Sequence, residues 1–391
     1  MVRLGLALSL ALAGSAALPA AEQQSQLVRV GGAVAAARLI GADERWSLTF
    51  ENGSRQQLHV GELVRWGTPR EPADATGILL RDGGMLPGKI TAASESVLEL
   101  QSDALGAIKL PRKLVAAAVL AATALSEERA ATGVTSADQL RLANGDRLAG
   151  RLLGMAEKKI QWEARQGRIT VSTENVARIE FAQREAAPPQ HDRLKVTVGL
   201  DDGTRLLVDQ LVTKENRAEI VLADGTRVAT ELRRVVFLQP RGGRVTWLSD
   251  LKPQGYRHLP YLSVEWPLAL DRNVLGGPLR AGGRPYLKGL GLHSASRVTY
   301  QLEKPYRRLA ATLAIDDAAE HSGSVIFHVF TDDGTGRWTE RFSSPTARGG
   351  APPIEMAVDV AGAKRVSLLV DGADYGDQRD YANWLDARLE P

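Results

Sequence analysis

The sequence predicts an all-β protein, a series of small antiparallel β-units followed by a larger C-terminal β-sandwich. Three observations carry this. Apolar and polar residues alternate in short runs along most of the chain, the period of half-buried strands rather than of helices. A glycine turn recurs at the head of four such groups of runs. From residue 245 onward, eight or so runs follow one another between Gly, Asp and Pro turns, a sandwich pattern.

The repeat is clearest in its third copy. Leu142-Ala143-Asn144-Gly145-Asp146 is followed by the runs Ile160-Gln161-Trp162, Ile169-Thr170-Val171 and Val176 to Phe181. The second copy turns at Asp82-Gly83, the fourth at Asp202-Gly203 and the first at Gly31-Gly32. From the turn glycine to the closing apolar residue, the distances Gly32–Trp66, Gly83–Val119, Gly145–Phe181 and Gly203–Phe237 are 34, 36, 36 and 34 residues. Such short units bury little apolar surface alone, so neighbouring copies are expected to pack on one another. The expected units are residues 27–67, 77–120, 138–182 and 194–239, with links over 71–76, 126–138 (charged and helical in character) and 183–193.

The C-terminal domain is expected over 244–391, after the Pro240-Arg241-Gly242-Gly243 break. It opens with Val245 to Leu251 and Leu262 to Trp266. Alternating strands then follow at 297–303, 308–315, 324–331, 338–343, 354–360, 365–370 and 384–389.

A length of 391 residues exceeds the size at which one core keeps growing, which agrees with several domains. With 49 Lys and Arg against 46 Asp and Glu, the net charge is +3 and no basic stripe stands out. No nucleic-acid partner is therefore expected. Residues 1–20 read as a secretory signal, with Arg3, an apolar core from Leu4 to Ala13 and small residues through Ala21. That core is shorter than the ~20 residues that span a bilayer, so the expected protein is exported, periplasmic or extracellular, without a membrane span after cleavage. Absence of cysteine removes disulfides, thiolate metal sites and a lipoprotein anchor together.

No nucleophile elbow, metalloprotease helix, phosphate loop or dinucleotide fingerprint occurs, so no catalytic residue is assigned. Adjacent Asp316 and Asp317 end a strand, where carboxylates can hold calcium or cap a turn, and capping is the favoured reading. An exposed aromatic face beside polar groups is a common ligand platform. The aromatic candidates are Trp338, which follows the turn Asp332-Asp333-Gly334-Thr335-Gly336, then Tyr375, Tyr381 and Trp384, the last reading as a strand residue that enters the core.

Five blocks carry a family resemblance. Lys288 to Tyr300, centred on Gly291-Leu292-His293-Ser294, is answered near the C-terminus by Asp380-Tyr381-Ala382-Asn383-Trp384-Leu385. Between them lie Ile315-Asp316-Asp317, Gly323 to Val329 and Val358 to Lys364. In that order and spacing they resemble the NPCBM/NEW2 domain, a carbohydrate-binding module, over roughly residues 245–391. The resemblance implies a galactose-binding-like jelly roll and a non-enzymatic role in which the module binds a glycan and the N-terminal units serve as scaffold. It adds His293, at the family's Gly-x-His-Ala position, and Asp380 to the candidate sugar contacts. Where the family shows Asp-His-Ala-Asp-Trp, this chain carries Tyr381 and Asn383. Each N-terminal unit is similar to an SH3-like or Sm-like small barrel. Two other functions stay open, a structural envelope or matrix protein that uses the module for protein contacts, and a glycoside hydrolase built on a carboxylate pair.

Overall fold

The computed structural model describes residues 24–72, 76–121, 136–182, 194–261, 263–374 and 376–391. The signal segment 1–20, most of the three links and Tyr375 lie outside the described residues.

The N-terminal part repeats one order of elements four times. In the third unit, the strands Asp138–Leu142, Arg147–Ala156, Lys159–Ala164 and Gly167–Ser172 lead through a 3-10 turn, Thr173–Asn175, to the closing strand Val176–Glu180. The first strand pairs with both the second and the closing strand, which shuts the unit into a small barrel. Local chemistry explains the entry turn. Gly145 has φ +93°, and its N–H donates to Leu142 O at 3.0 Å. Asn144 stays out of the left-handed region and its side chain accepts the Asp146 N–H at 3.1 Å. The turn is therefore a type I turn with a left-handed glycine after it, rather than a two-residue turn needing two left-handed residues. Asp82 and Asp202 make the same bond ahead of Gly84 and Thr204, so one Asx-Gly device opens three of the units.

Leu140, Leu152, Ile160, Trp162, Val176 and Ile179 fill the third barrel, and the other units contribute to the same continuous apolar cluster. The closing strands join units in pairs. Ala118 stands opposite Ile179 between units two and three, and Leu238 opposite Trp66 between units four and one. Pairing closing strands covers edges that isolated small barrels would leave open.

The C-terminal domain is a two-sheet sandwich. One sheet runs Ala269–Leu270, Gly289–His293, Tyr381–Glu390, Arg308–Ile315, Ile354–Asp359, and Thr246–Trp247 also pairs with its Tyr381–Glu390 strand. The other runs Gly255–His258, Ser296–Gln301, Arg365–Gly372, Ser324–Asp332, Thr339–Ser343. Strands read from alternation from residue 297 onward reappear within a few residues at each end. The opening stretch does not: over 263–268 the chain is a loop, as Pro267, which cannot donate to a ladder, requires beside Trp266.

The inner faces share a core in which Trp384 meets Phe327 edge-on, centroids 5.1 Å apart. The outer face of the first sheet docks on units one and four. Val28 and Val64 pack with Val245 and Trp247, Gly31 N–H donates to Glu390 Oε2 at 2.8 Å, and Trp247 Nε1 donates to Pro240 O at 3.1 Å. Gly32 leaves the room that the Arg308 guanidinium occupies.

Candidate functional site

Four residues converge at one end of the sandwich. His293 ends the strand Gly289–His293, and Ser294 with left-handed Ala295 (φ +56°) carries the chain across to the second sheet. Tyr381 opens the C-terminal strand directly opposite His293. His258 ends its strand opposite Ser296. Trp266 arrives from a loop whose described residues are 259–261 and 263–268.

That loop is pinned at Trp266 from both sides. Its N–H donates to His258 Nδ1 at 3.2 Å, and its carbonyl accepts from Tyr256 Oη at 2.6 Å. The Trp266 indole lies flat on the His293 imidazole, centroids 4.8 Å apart and planes 2° from parallel. Tyr381 approaches both rings at 6.1 Å, and His258 meets His293 edge-on at 5.9 Å. His293 covers one indole face, and Trp266 is half-buried. Tyr261, on the same loop, is 73% exposed.

Polar groups stand beside this platform. The Tyr381 hydroxyl and the Asp377 carboxylate have no hydrogen-bond partner among the described residues. Asp380 is buried; its Oδ1 accepts the Ser324 N–H at 2.8 Å, and its Oδ2 has no partner among those residues. Burial raises the Asp380 carboxyl above the ordinary range, opposed by the Ser324 bond and by Ser294, while the nearby Asp377 charge adds to the rise. Burial likewise holds the His293 imidazole below the ordinary histidine value, against the pull of Asp377.

The structure sorts the remaining candidates. Trp384 is fully buried in the inter-sheet core against Phe327, so it is no ligand platform. Trp338 is 37% exposed under the Arg365 guanidinium, 5.1 Å from its centroid. It belongs to the opposite end, since the strand Ser324–Asp332, at ~3.3 Å per residue, separates the two by ~26 Å. Asp316 and Asp317, for which the sequence favours capping over calcium, are both held by N–H donors. Asp316 accepts from Ala318 N, Asn273 Nδ2, Arg280 N and Asn383 Nδ2 at 2.6 to 3.1 Å, and Asp317 takes Gly282 N and Gly283 N at 2.8 Å each. Carboxylates held by N–H donors in this way cap turns and tie down a loop. Among the described residues no group of three or more His, Asp or Glu is placed to hold a metal.

Sequence reasoning missed Trp266, His258 and Asp377. Their partners are far away in sequence, and the one available signal, Pro267, marks a loop without saying where it folds.

A two-sheet sandwich with an aromatic platform and free polar groups at one end defines the class of a β-sandwich binding module. The family model described as the NPCBM/NEW2 domain matches residues 244–390, and this segment is an NPCBM/NEW2 domain. The chain is 31% identical over 169 residues to the "Putative endo-alpha-N-acetylgalactosaminidase" of Renibacterium salmoninarum, covering 42% of this chain and 11% of that protein. It is 31% identical over 121 residues to Alpha-1,3-galactosidase B of Akkermansia muciniphila, covering 30% and 14%. The match thus spans a small part of each relative. Among solved structures, the CBM51 from Clostridium perfringens GH95 in complex with methyl-galactose aligns at 22% identity and TM-score 0.33, over 37% of this chain and 99% of that one. The CBM51-2 in complex with GlcNAc and INT domains from Clostridium perfringens ZmpB aligns at 21% and TM-score 0.33, over 59% and 43%.

Proposed function

We propose that this protein is an exported, non-enzymatic glycan-binding protein whose NPCBM/NEW2 domain takes a sugar on the outer face of Trp266. The observation that carries this is the parallel Trp266–His293 stack, an indole held flat by a buried ring and flanked by unpaired polar groups. An apolar pyranose face packs on such a ring while its hydroxyls reach the Tyr381 hydroxyl and the Asp377 carboxylate. The N-terminal units act as a scaffold that fixes the module's orientation, as their ion-paired and apolar contacts with its first sheet support. Export rests on the signal pattern of residues 1–20. In one cleft between units and module the lining carboxylate, Asp386, is bonded to Arg65 and Gln239, so that cleft supplies no carboxylate pair for the hydrolase reading.

The test is a glycan array probed with the full chain, with and without calcium, beginning with galactose- and N-acetylgalactosamine-terminated glycans. Trp266→Ala is expected to weaken binding about 30-fold while Trp338→Ala leaves it in place. Unchanged binding by folded Trp266→Ala would sink the assignment of the site. No binding to any glycan would leave the structural role.

A further inference from the structure

The first sheet's outer face is covered by the N-terminal units, but the second sheet's outer face is not: no hydrogen bond or ion pair among the described residues joins it to them. On it, Arg257 and Arg297 stand directly opposite each other on neighbouring antiparallel strands, both exposed. Directly opposed side chains leave the sheet on the same side with Cβ atoms ~5 Å apart, where like charges repel. Neither guanidinium has a hydrogen-bond or ion-pair partner among the described residues. Asp371 lies diagonal to Arg297 and makes no ion pair with it. The row continues through Leu369, opposite Arg297, to His328 on the next strand. His328 stacks with Phe330, centroids 6.1 Å apart and planes 24° from parallel, and holds Glu340 at 2.7 Å, which occupies that nearby carboxylate.

We propose that this open face is a second binding surface, for an acidic polysaccharide whose carboxylate or sulfate groups sit between Arg257 and Arg297 while its sugar rings lie along Leu369, His328 and Phe330. The arginine pair works against the fold and lacks an internal counter-charge, which an anionic ligand supplies. The half-buried apolar row beside it suits a chain of rings rather than a lone anion. The choice of a saccharide rests on the glycan-binding reading above, but the surface is a different face from the Trp266 end, so the two can fail separately.

The experiment is affinity electrophoresis of the full chain through polygalacturonate (carboxylate), dextran sulfate (sulfate) and neutral dextran. Expected is retardation by one or both acidic polymers and none by dextran, weakened about tenfold in the Arg257→Gln/Arg297→Gln double variant and unchanged in Trp266→Ala. The double variant should melt no lower than the parent, because it removes a repulsion. No retardation by either acidic polymer, retardation unaffected by the double variant, or equal retardation by double-stranded DNA would overturn the proposal. Loss of array binding in Trp266→Ala bears on the end site alone.

Discussion

Arg65 Nε donates to Asp386 Oδ2 over 2.9 Å, joining the closing strand of the first unit to the last strand of the module. Gln239 Nε2, from the closing strand of the fourth unit, donates to the other oxygen at 3.1 Å. Asp386 can turn toward both because it occupies a bulge: its φ is +47°, and the register against Arg308–Ile315 slips there. One carboxylate thus gathers two N-terminal units onto the module.

The Arg65 and Asp386 side chains are 15% and 5% exposed, so removing one partner strands a buried charge. Arg65→Ala is expected to destabilise the docked arrangement by about 3–5 kcal/mol. Calorimetry should then resolve separate melting of the module and the N-terminal units, where the parent melts as one. A single unshifted transition would show that the pair does not couple them.

Trp384→Ala deletes a fully buried ring that packs edge-on against Phe327. A cost of about 3–5 kcal/mol is expected in urea denaturation. Trp266→Ala, at the half-buried surface, should cost less and keep the parent's near-ultraviolet dichroism outside the indole's own contribution.

Lowering pH should erode stability through His293. Burial depresses its folded pKa below the ordinary histidine value of 6.5, so the unfolded chain takes up the proton first. The contribution is complete above pH 6.5 and is lost as the pH falls from there through the lower folded value. Asp380 and Asp316 are raised by burial, so theirs is complete below 3.8 and lost as the pH rises through their folded values. Comparing His293→Asn with the parent between pH 7 and 5 isolates the imidazole. The variant's stability should be flatter over that window, and an equal slope would refute the assignment.

Asp316→Asn keeps the shape but replaces an acceptor by a donor that faces N–H groups. Each buried donor left unmet costs about 1–3 kcal/mol. Melting of the parent should be the same in EDTA and in millimolar calcium. A calcium-dependent rise abolished in Asp316→Asn would restore the metal reading.

The sequence by itself determined much of the architecture. Asx-Gly turns, period-two alternation and constant spacing are local, and they made the small barrels and the strands from 297 onward legible before any coordinates. The resemblance brought His293 into view and aromatic character brought Tyr381, and the structure sets them opposite each other. Aromatic character also pointed to Trp384, which lies in the inter-sheet core, and adjacent carboxylates to Asp316, which accepts from several N–H donors.

Only the tertiary structure decided what meets what. Trp266 stacks on His293 across 27 residues of chain, Tyr381 joins them from nearly ninety residues further on, and Trp338 falls at the far end of the sandwich. Which strand end carries which side chain follows from sheet order and register, set by burial summed over the whole core rather than by neighbours in sequence. The docking of Arg65 on Asp386 shows the same principle. Its geometry depends on a bulge that no periodic pattern marks, because an extra residue in one strand re-aims a side chain without changing the apolar alternation around it.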